Sequence, residues 1–206
     1  MQPIDPTGSA IGEPTWEIAE LFPRQGQWSE ADYLAIESNR LMELSEGKLE
    51  MLPMPTQAHQ LIVAFLYQKL LEFVTSRRLG LVLFAPLRVK VREGQIREPD
   101  IVFMAAGNKH RRANEFWTGA DLVVEVVSSD DPKRDLETKR DEYAQAGIPE
   151  YWIVDPRNST ITVLKLEGEG SPYFEVGVYK PGQEVASVLL GGLTIDVTAT
   201  FAAANE

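Results

Sequence analysis

The spacing of apolar and polar positions along the chain alternates between that typical of helices and that typical of strands. Each change of spacing marks the boundary of a predicted element. Residues 58–77 form the clearest predicted helix, because apolar side chains recur there at spacings of three and four. Gly80 ends this helix. A second helix is predicted over residues 131–146, and a shorter one begins at Ser29, where the next residues have the pattern of a capping box.

Apolar runs of strand length lie between and after these helices. They cover residues 48–52, 81–84, 87–92, 96–104, 121–128, 151–154, 160–166, 173–179 and 184–190. The run at 121–128 is almost continuously apolar, as expected of a strand that is covered on both faces. The order of the elements predicts an α/β fold of the restriction-endonuclease-like kind: a mixed β-sheet flanked by helices, with extra C-terminal antiparallel strands.

Composition limits the class of protein. A chain of 206 residues that is 44% hydrophobic can bury one core, so we expect a single domain over residues 29–206, preceded by a loosely ordered polar segment over 1–28. No apolar run approaches the roughly 20 residues of a membrane span, and we expect a cytoplasmic protein. The absence of cysteine excludes disulfides and thiolate catalysis.

The charge is acidic overall but unevenly distributed. A net charge of −11 argues against simple binding of nucleic acid, which depends on neutralising phosphates. Residues 77–140, however, contain 13 Lys and Arg against 10 Asp and Glu, a local charge of +3. The cations of this stretch include Arg88, Lys90, Arg92, Arg97 and the run at 109–112. We expect these cations to surround the candidate site.

Two carboxylates stand in apolar strand sequences. Asp100 is at the head of one run, and Glu125 lies inside the next. A buried carboxylate is costly unless it is paired or binds a metal. Two such strands side by side would bring both groups to one divalent cation, and oxygen ligands suit Mg²⁺ or Mn²⁺. In the alternative interpretation, Asp100 only forms a turn and Glu125 pairs with a cation such as Arg97.

A phosphodiesterase also needs a group that activates water or stabilises charge on phosphorus, and Lys is the usual choice. The position that shares a strand face with Glu125 is Val127, which cannot serve. On the following helix, Lys139 and Arg140 flank an inward apolar stripe on opposite sides. The spacing admits either residue.

A resemblance supports one of these two. Four features carry it: Pro99-Asp100, the Glu125-Val-Val-Ser segment, Lys139, and the block Tyr-Ala-Gln-Ala-Gly-Ile-Pro-Glu-Tyr-Trp-Ile-Val-Asp at 143–155. Together they resemble the Uma-two family of putative restriction endonucleases, of the PD-(D/E)xK nuclease superfamily. The similarity extends from about Ser29 to the final strands. It implies that the catalytic lysine has moved from the strand to the helix, which selects Lys139.

The same resemblance implies roles for two earlier residues. Glu43 matches an early glutamate of the family and would support the metal, although a carboxylate at an exposed helix end is the alternative. His59 stands at a predicted helix start, where it would orient a phosphate or water. A helix cap or a hydrogen-bonded structural histidine is the alternative for His59.

The leading functional hypothesis is a Mg²⁺-dependent (or Mn²⁺-dependent) endonuclease that acts on DNA. Asp100, Glu125 and the main-chain carbonyl of Val126 would hold the ion, and Lys139 would position or deprotonate the attacking water. A homodimer is expected, because two active sites cut two strands and the C-terminal strands offer an edge for pairing.

Two other functions fit the sequence. One is a binding or regulatory protein that uses a nuclease fold with little catalysis, which the acidic charge and the displaced lysine favour. The other is metal-dependent hydrolysis of a small phosphoester, which would explain the acidic charge without requiring a polymer.

Overall fold

The computed structural model describes residues 22–37, 40–128, 131–168 and 170–205. The α-helices are α1 (Glu30–Leu34), α2 (Gln57–Ser76), α3 (Lys139–Gln145) and α4 (Val197–Ala202). The strands are β1 (Met42–Ser45), β2 (Lys48–Met51), β3 (Gly80–Phe84), β4 (Val89–Arg92), β5 (Gln95–Arg97), β6 (Ile101–Ala105), β7 (Trp117–Thr118), β8 (Leu122–Val126), β9 (Glu150–Asp155), β10 (Thr160–Leu166), β11 (Tyr173–Tyr179), β12 (Glu184–Ala186) and β13 (Thr194–Asp196). Short 3₁₀ helices follow β6 and α4.

A six-stranded sheet with the order β11-β10-β9-β8-β6-β3 forms the centre of the fold. Its strands are antiparallel except β8 and β9, which run parallel and pair Glu125 with Ile153. The chain reaches β9 from β8 through α3, as a parallel pair requires a crossover. This mixed sheet with flanking helices confirms the predicted fold class.

The two faces of this sheet are covered by different elements. Helix α2 packs on one face, where its buried side chains join those of Val124 and Val126. Helix α3 and part of a second sheet cover the other face, where Val123 and Val127 are buried. Because side chains alternate along a strand, Glu125 points to the same face as Val123 and Val127, toward α3.

A five-stranded sheet with the order β2-β1-β5-β4-β7 lies beside the first. The predicted single strand at 96–104 is wrong, because β5 belongs to this second sheet and β6 to the central one. Pro99 stands between them, and a proline cannot donate a ladder hydrogen bond. The chain therefore changes sheets immediately before Asp100, which places that carboxylate at the junction of the two sheets.

The helix starts follow local chemistry. Ser29 and Asp32 form the predicted capping box, with backbone-to-side-chain hydrogen bonds of 3.0 and 3.1 Å. Helix α2 begins after Thr56, whose hydroxyl accepts the His59 N–H at 3.2 Å. At the C-terminus, the predicted strand at 184–190 shortens to β12, which pairs with β13 as a separate hairpin. Helix α4 follows this hairpin, although the apolar pattern did not predict it.

The N-terminal prediction falls mostly on residues 1–21, which lie outside the described residues. Within the described part, Gly26 and Trp28 donate backbone hydrogen bonds of 2.7 and 3.0 Å to the Gly47 carbonyl. Residues 22–28 therefore contact the β1–β2 turn. Among the described residues, no helix is both long and apolar enough to span a membrane.

Candidate active site

Lys139 reaches Glu125 from the helix that follows the strand. Its Nζ lies 2.9 Å from Glu125 Oε1, and the Tyr143 hydroxyl donates to the same oxygen at 2.6 Å. Lys139 is only 4% exposed, and Asp135 Oδ1 lies 3.1 Å from its Nζ. Asp135, Lys139 and Tyr143 are spaced four residues apart, so they share one helix face. That face packs over β8.

The helix begins irregularly at this point. Arg134–Thr138 forms a π-helical turn directly before α3. Such turns add a residue to the helix and recur at functional sites. Arg140 points elsewhere, with its guanidinium 3.5 Å from the Tyr173 carbonyl oxygen. The fold therefore brings Lys139 to Glu125 and leaves Arg140 outside, a choice that helical spacing alone left open.

Asp100 contacts Val126, the residue that follows Glu125 in β8. The Val126 N–H donates to Asp100 Oδ2 at 2.8 Å. His59 Nε2 lies 3.3 Å from the same Asp100 oxygen and 3.1 Å from the Val126 carbonyl oxygen. Because a carbonyl can only accept, this geometry places a hydrogen on His59 Nε2. The N–H edge of His59 thus faces two of the three predicted ligand groups.

The groups that act on Glu125 carry more negative than positive charge. Burial raises the pKa of Glu125; Lys139 opposes this shift, whereas Asp100 and Asp135 add to it. For Lys139, burial lowers the pKa, but Glu125, Glu43 and Asp135 outweigh burial and raise it. Lys139 is therefore held as an ammonium ion. It can donate hydrogen bonds and stabilise negative charge, but it is poorly suited to accept a proton.

Glu43 is buried in β1 with no exposed surface, so the alternative of an exposed helix-end carboxylate is wrong. Its Oε1 accepts the Glu98 N–H at 2.9 Å. Burial raises its pKa, but Lys139, Arg97 and Arg134 outweigh this and lower the pKa to about 2. Lys139 Nζ lies 3.8 Å from Oε1. Glu43 thus links the lysine to a second group of ions.

That group is centred on Arg97, one of the cations expected around the site, and on Arg134, which the sequence analysis did not assign to it. Arg97 bonds Glu43 and Glu50 at 2.9 Å each and Glu142 at 2.6 Å. Arg134 also bonds Glu43 and Glu50. The alternative pairing of Arg97 with Glu125 is wrong, because Arg97 bonds these three glutamates and Glu125 bonds Lys139. In the sequence, the only signal of this cluster was the presence of basic residues together with the acidic residues at positions 43, 50 and 142.

The basic run at 109–112 does not surround the site. Arg112 donates to the carbonyl oxygens of Met104 and Ala105, at 2.8 and 3.1 Å. These carbonyls are at the far end of β6, about 13 to 16 Å from Asp100 at the rise of a strand. The expectation that all the cations gather at the site is therefore wrong for this run, whereas Arg97 does lie beside it.

The residues at the site fit a hard metal ion by their chemistry. Within the described ranges, no group of three or more His, Cys, Asp or Glu side chains is arranged to hold a metal. The predicted metal ligands are two side-chain carboxylates and one main-chain carbonyl, so this set has fewer than three such side chains. Mg²⁺ keeps several waters and needs few protein ligands. The excess of negative charge around Glu125 also favours a bound cation.

One comparison with known proteins shows the family, and another shows the fold. The family model Uma2, described as putative restriction endonuclease, matches residues 28–198. A crystal structure of a putative nuclease belonging to DUF820 from Anabaena variabilis is similar, with a TM-score of 0.70. It is 20% identical, and the match covers 84% of this chain and 97% of the other. No curated protein matches. The family match supports a nuclease-like function, and the structural likeness shows the shared fold.

Proposed function

We infer that this protein, which belongs to the Uma2 family of putative restriction endonucleases, is a metal-dependent endonuclease. It would hydrolyse phosphodiester bonds in DNA. One observation carries the proposal. Glu125 in β8 contacts Lys139 from the following helix, and Asp100, directly before the neighbouring β6, accepts the backbone N–H of Val126, the residue after Glu125. Carboxylates that can hold a metal ion, with a lysine beside them, suit metal-assisted phosphodiester hydrolysis.

The contacts of each residue support a role for it. Asp100, Glu125 and the Val126 carbonyl would hold Mg²⁺ or Mn²⁺. When bound, the ion would polarise the phosphate and lower the pKa of the attacking water. Lys139, held as an ammonium ion, would hydrogen-bond that water and stabilise charge on the phosphate.

Glu43 and His59 act beside these groups. Glu43 would keep Lys139 charged and in place. His59 would orient a phosphate or water beside them. Burial lowers the pKa of His59, but Asp100 outweighs burial and raises it, which favours the protonated ring.

A binding or regulatory protein is the second candidate, and two observations favour it over an enzyme. Lys139 is engaged with Glu125 and Asp135 at 2.9 and 3.1 Å, so the groups needed for turnover pair with each other. The net charge of −11 also weakens binding to DNA. The homodimer stays a prediction, for which β11 offers an edge of the central sheet.

The experiment is cleavage of supercoiled plasmid at low salt with Mg²⁺ or Mn²⁺, where weak phosphate contacts are strongest. We expect nicked and linear products from the wild type. The Asp100→Asn and Glu125→Gln variants should produce neither, and Lys165→Ala, which changes an exposed charge on β10, should cleave normally. The contrary result is a wild type that binds DNA in a gel-shift assay without cleaving it in the presence of either metal. That result would overturn the proposed endonuclease activity in favour of the binding protein.

A further inference from the structure

Tyr143 is fully buried in α3, and its hydroxyl donates a hydrogen bond of 2.6 Å to Glu125 Oε1. Two other tyrosines, Tyr151 and Tyr173, belong to the same apolar cluster. Their hydroxyls donate to main-chain carbonyl oxygens, at 2.9 and 2.7 Å. Of these three tyrosines, only Tyr143 donates to a candidate metal ligand.

The ring of Tyr143 has a packing role that its hydroxyl does not share. The ring contacts Tyr151 edge to face, with centroids 5.1 Å apart and an interplanar angle of 80°. A phenylalanine at position 143 would keep this aromatic contact. The hydroxyl can therefore be removed while the packing is retained, and its own role can be tested separately.

Two donors from successive turns of α3 converge on one oxygen of Glu125. Lys139 Nζ lies 2.9 Å from Oε1, and the Tyr143 hydroxyl lies 2.6 Å from the same atom. Both hydrogen bonds are made to Oε1 and not to Oε2. The last torsion of a glutamate is broad and roughly twofold, so an unrestrained carboxylate can exchange its two oxygens. Donors that hold Oε1 in place leave Oε2 as the oxygen for a cation.

Tyr143 is the more restrained of these two donors. Lys139 has a flexible stem and three donor hydrogens, and it also lies 3.1 Å from Asp135 and 3.8 Å from Glu43. Tyr143 has one donor hydrogen, which it gives to Glu125, and a ring that is held by packing. The orientation of the Glu125 carboxylate therefore depends on the tyrosine hydroxyl more than on the shared lysine.

We propose that Tyr143 is a positioning residue for the metal site: its hydroxyl fixes Glu125 Oε1, so that Glu125 binds the ion through Oε2. The inference rests on the proposed function, because it takes Glu125 as a metal ligand. Hydrogen bonds from the surrounding protein orient a ligating carboxylate, and losing one such partner weakens metal affinity by about 10- to 100-fold. Tyr143 thus acts on the ion through Glu125 and not by direct contact.

The test is titration calorimetry with Mn²⁺ on the wild type, Tyr143→Phe and Tyr173→Phe, each prepared free of metal. Tyr143→Phe should bind Mn²⁺ at least about tenfold more weakly than the wild type. Tyr173→Phe is the matched control, because it also removes a buried hydroxyl but one that donates to the Ile148 carbonyl, and it should bind normally. Plasmid nicking over a range of Mn²⁺ concentrations gives a second measurement. Tyr143→Phe should need more metal and should approach the wild-type rate at saturation, a separation that a packing defect would not produce.

The possible results separate this inference from the proposed function. Unchanged Mn²⁺ affinity in Tyr143→Phe, or equal losses in the two phenylalanine variants, would overturn the positioning role and leave a cleaving wild type intact as a nuclease. A Tyr143→Phe variant that does not fold, as judged by thermal melting in EDTA, would assign the hydroxyl to stability and also overturn the role. Weaker Mn²⁺ binding in Tyr143→Phe alone, with no cleavage by the wild type, supports the positioning role and counts against the nuclease. A wild type that binds no Mn²⁺ overturns both.

Discussion

Lys139 Nζ and Glu125 Oε1 are 2.9 Å apart, although the two residues are separated by 14 positions and lie on different elements. The strand position that shares a face with Glu125 is Val127, which packs in the apolar cluster under α3. A lysine on the helix therefore supplies the positive charge that the strand does not. The four-carbon stem of lysine is long enough to cover this offset.

Removing Lys139 should abolish turnover with little effect on metal affinity, since its charge acts on the water and the phosphate. We expect Lys139→Ala to lose at least about 10²-fold in cleavage rate, the lower range for loss of a donor that stabilises charge in the transition state. The rate of plasmid nicking under single-turnover conditions measures this. Manganese titration of the same variant measures affinity separately.

Arg140→Ala is the matched control, because Arg140 is the adjacent cation and its guanidinium approaches the Tyr173 carbonyl instead of the site. It should lose much less activity than Lys139→Ala. Equal losses in the two variants, or a larger one at Arg140, would show that the assignment of the helix lysine is wrong.

Metal binding should depend on both strand carboxylates. Titration calorimetry with Mn²⁺ should show binding to the wild type that Asp100→Asn and Glu125→Gln each largely remove, because each takes one charged oxygen ligand from the ion. Glu137→Gln, which changes an exposed carboxylate paired with Lys133, should bind normally. Binding that survives both strand substitutions would rule out this metal site.

Without metal, Glu125→Gln should fold and should melt at or above the temperature of the wild type. Asp100, Asp135 and Glu43 repel the Glu125 charge, and functional sites often retain such repulsion at a cost in stability. Lys139 keeps Asp135 at 3.1 Å in the variant. Thermal melting in EDTA measures the effect. A fall of several degrees would instead identify Glu125 and Lys139 as a structural ion pair.

Glu43 should make the fold sensitive to acid. Its pKa is lowered to about 2 in the folded protein, and an unfolded glutamate titrates near 4.3. A lowered pKa contributes stability above the unfolded value, and this contribution is lost as the pH falls toward about 2. At pH 7 the contribution is about 3 kcal/mol.

Urea unfolding between pH 7 and pH 3 measures this term. Glu43→Gln should be less stable than the wild type at pH 7, because Arg97 and Arg134 lose a buried partner. The difference should shrink toward pH 3, where the wild-type carboxylate begins to lose its advantage. A difference that stays constant over this range would contradict the assignment, and Glu137→Gln should show none at any pH.

Local chemistry determined much of this protein. Period and capping residues located α1 and α2, because a helix needs only its own apolar stripe and a satisfied first turn. The position of Glu125 within a fully buried strand was also readable, since apolar neighbours on both sides require burial. The choice of Lys139 over Arg140 as the catalytic candidate rested on the resemblance to a family.

Tertiary structure decided the rest. The change of sheet at Pro99, the burial of Glu43 and the cage around Arg97 depend on contacts between residues about 45 to 55 positions apart, which no local period encodes. Helical spacing left Lys139 and Arg140 equivalent, and only the packing of α3 on β8 separated them. The physical reason is that a side chain's partner depends on which surfaces meet, and that is set by the burial of the whole core.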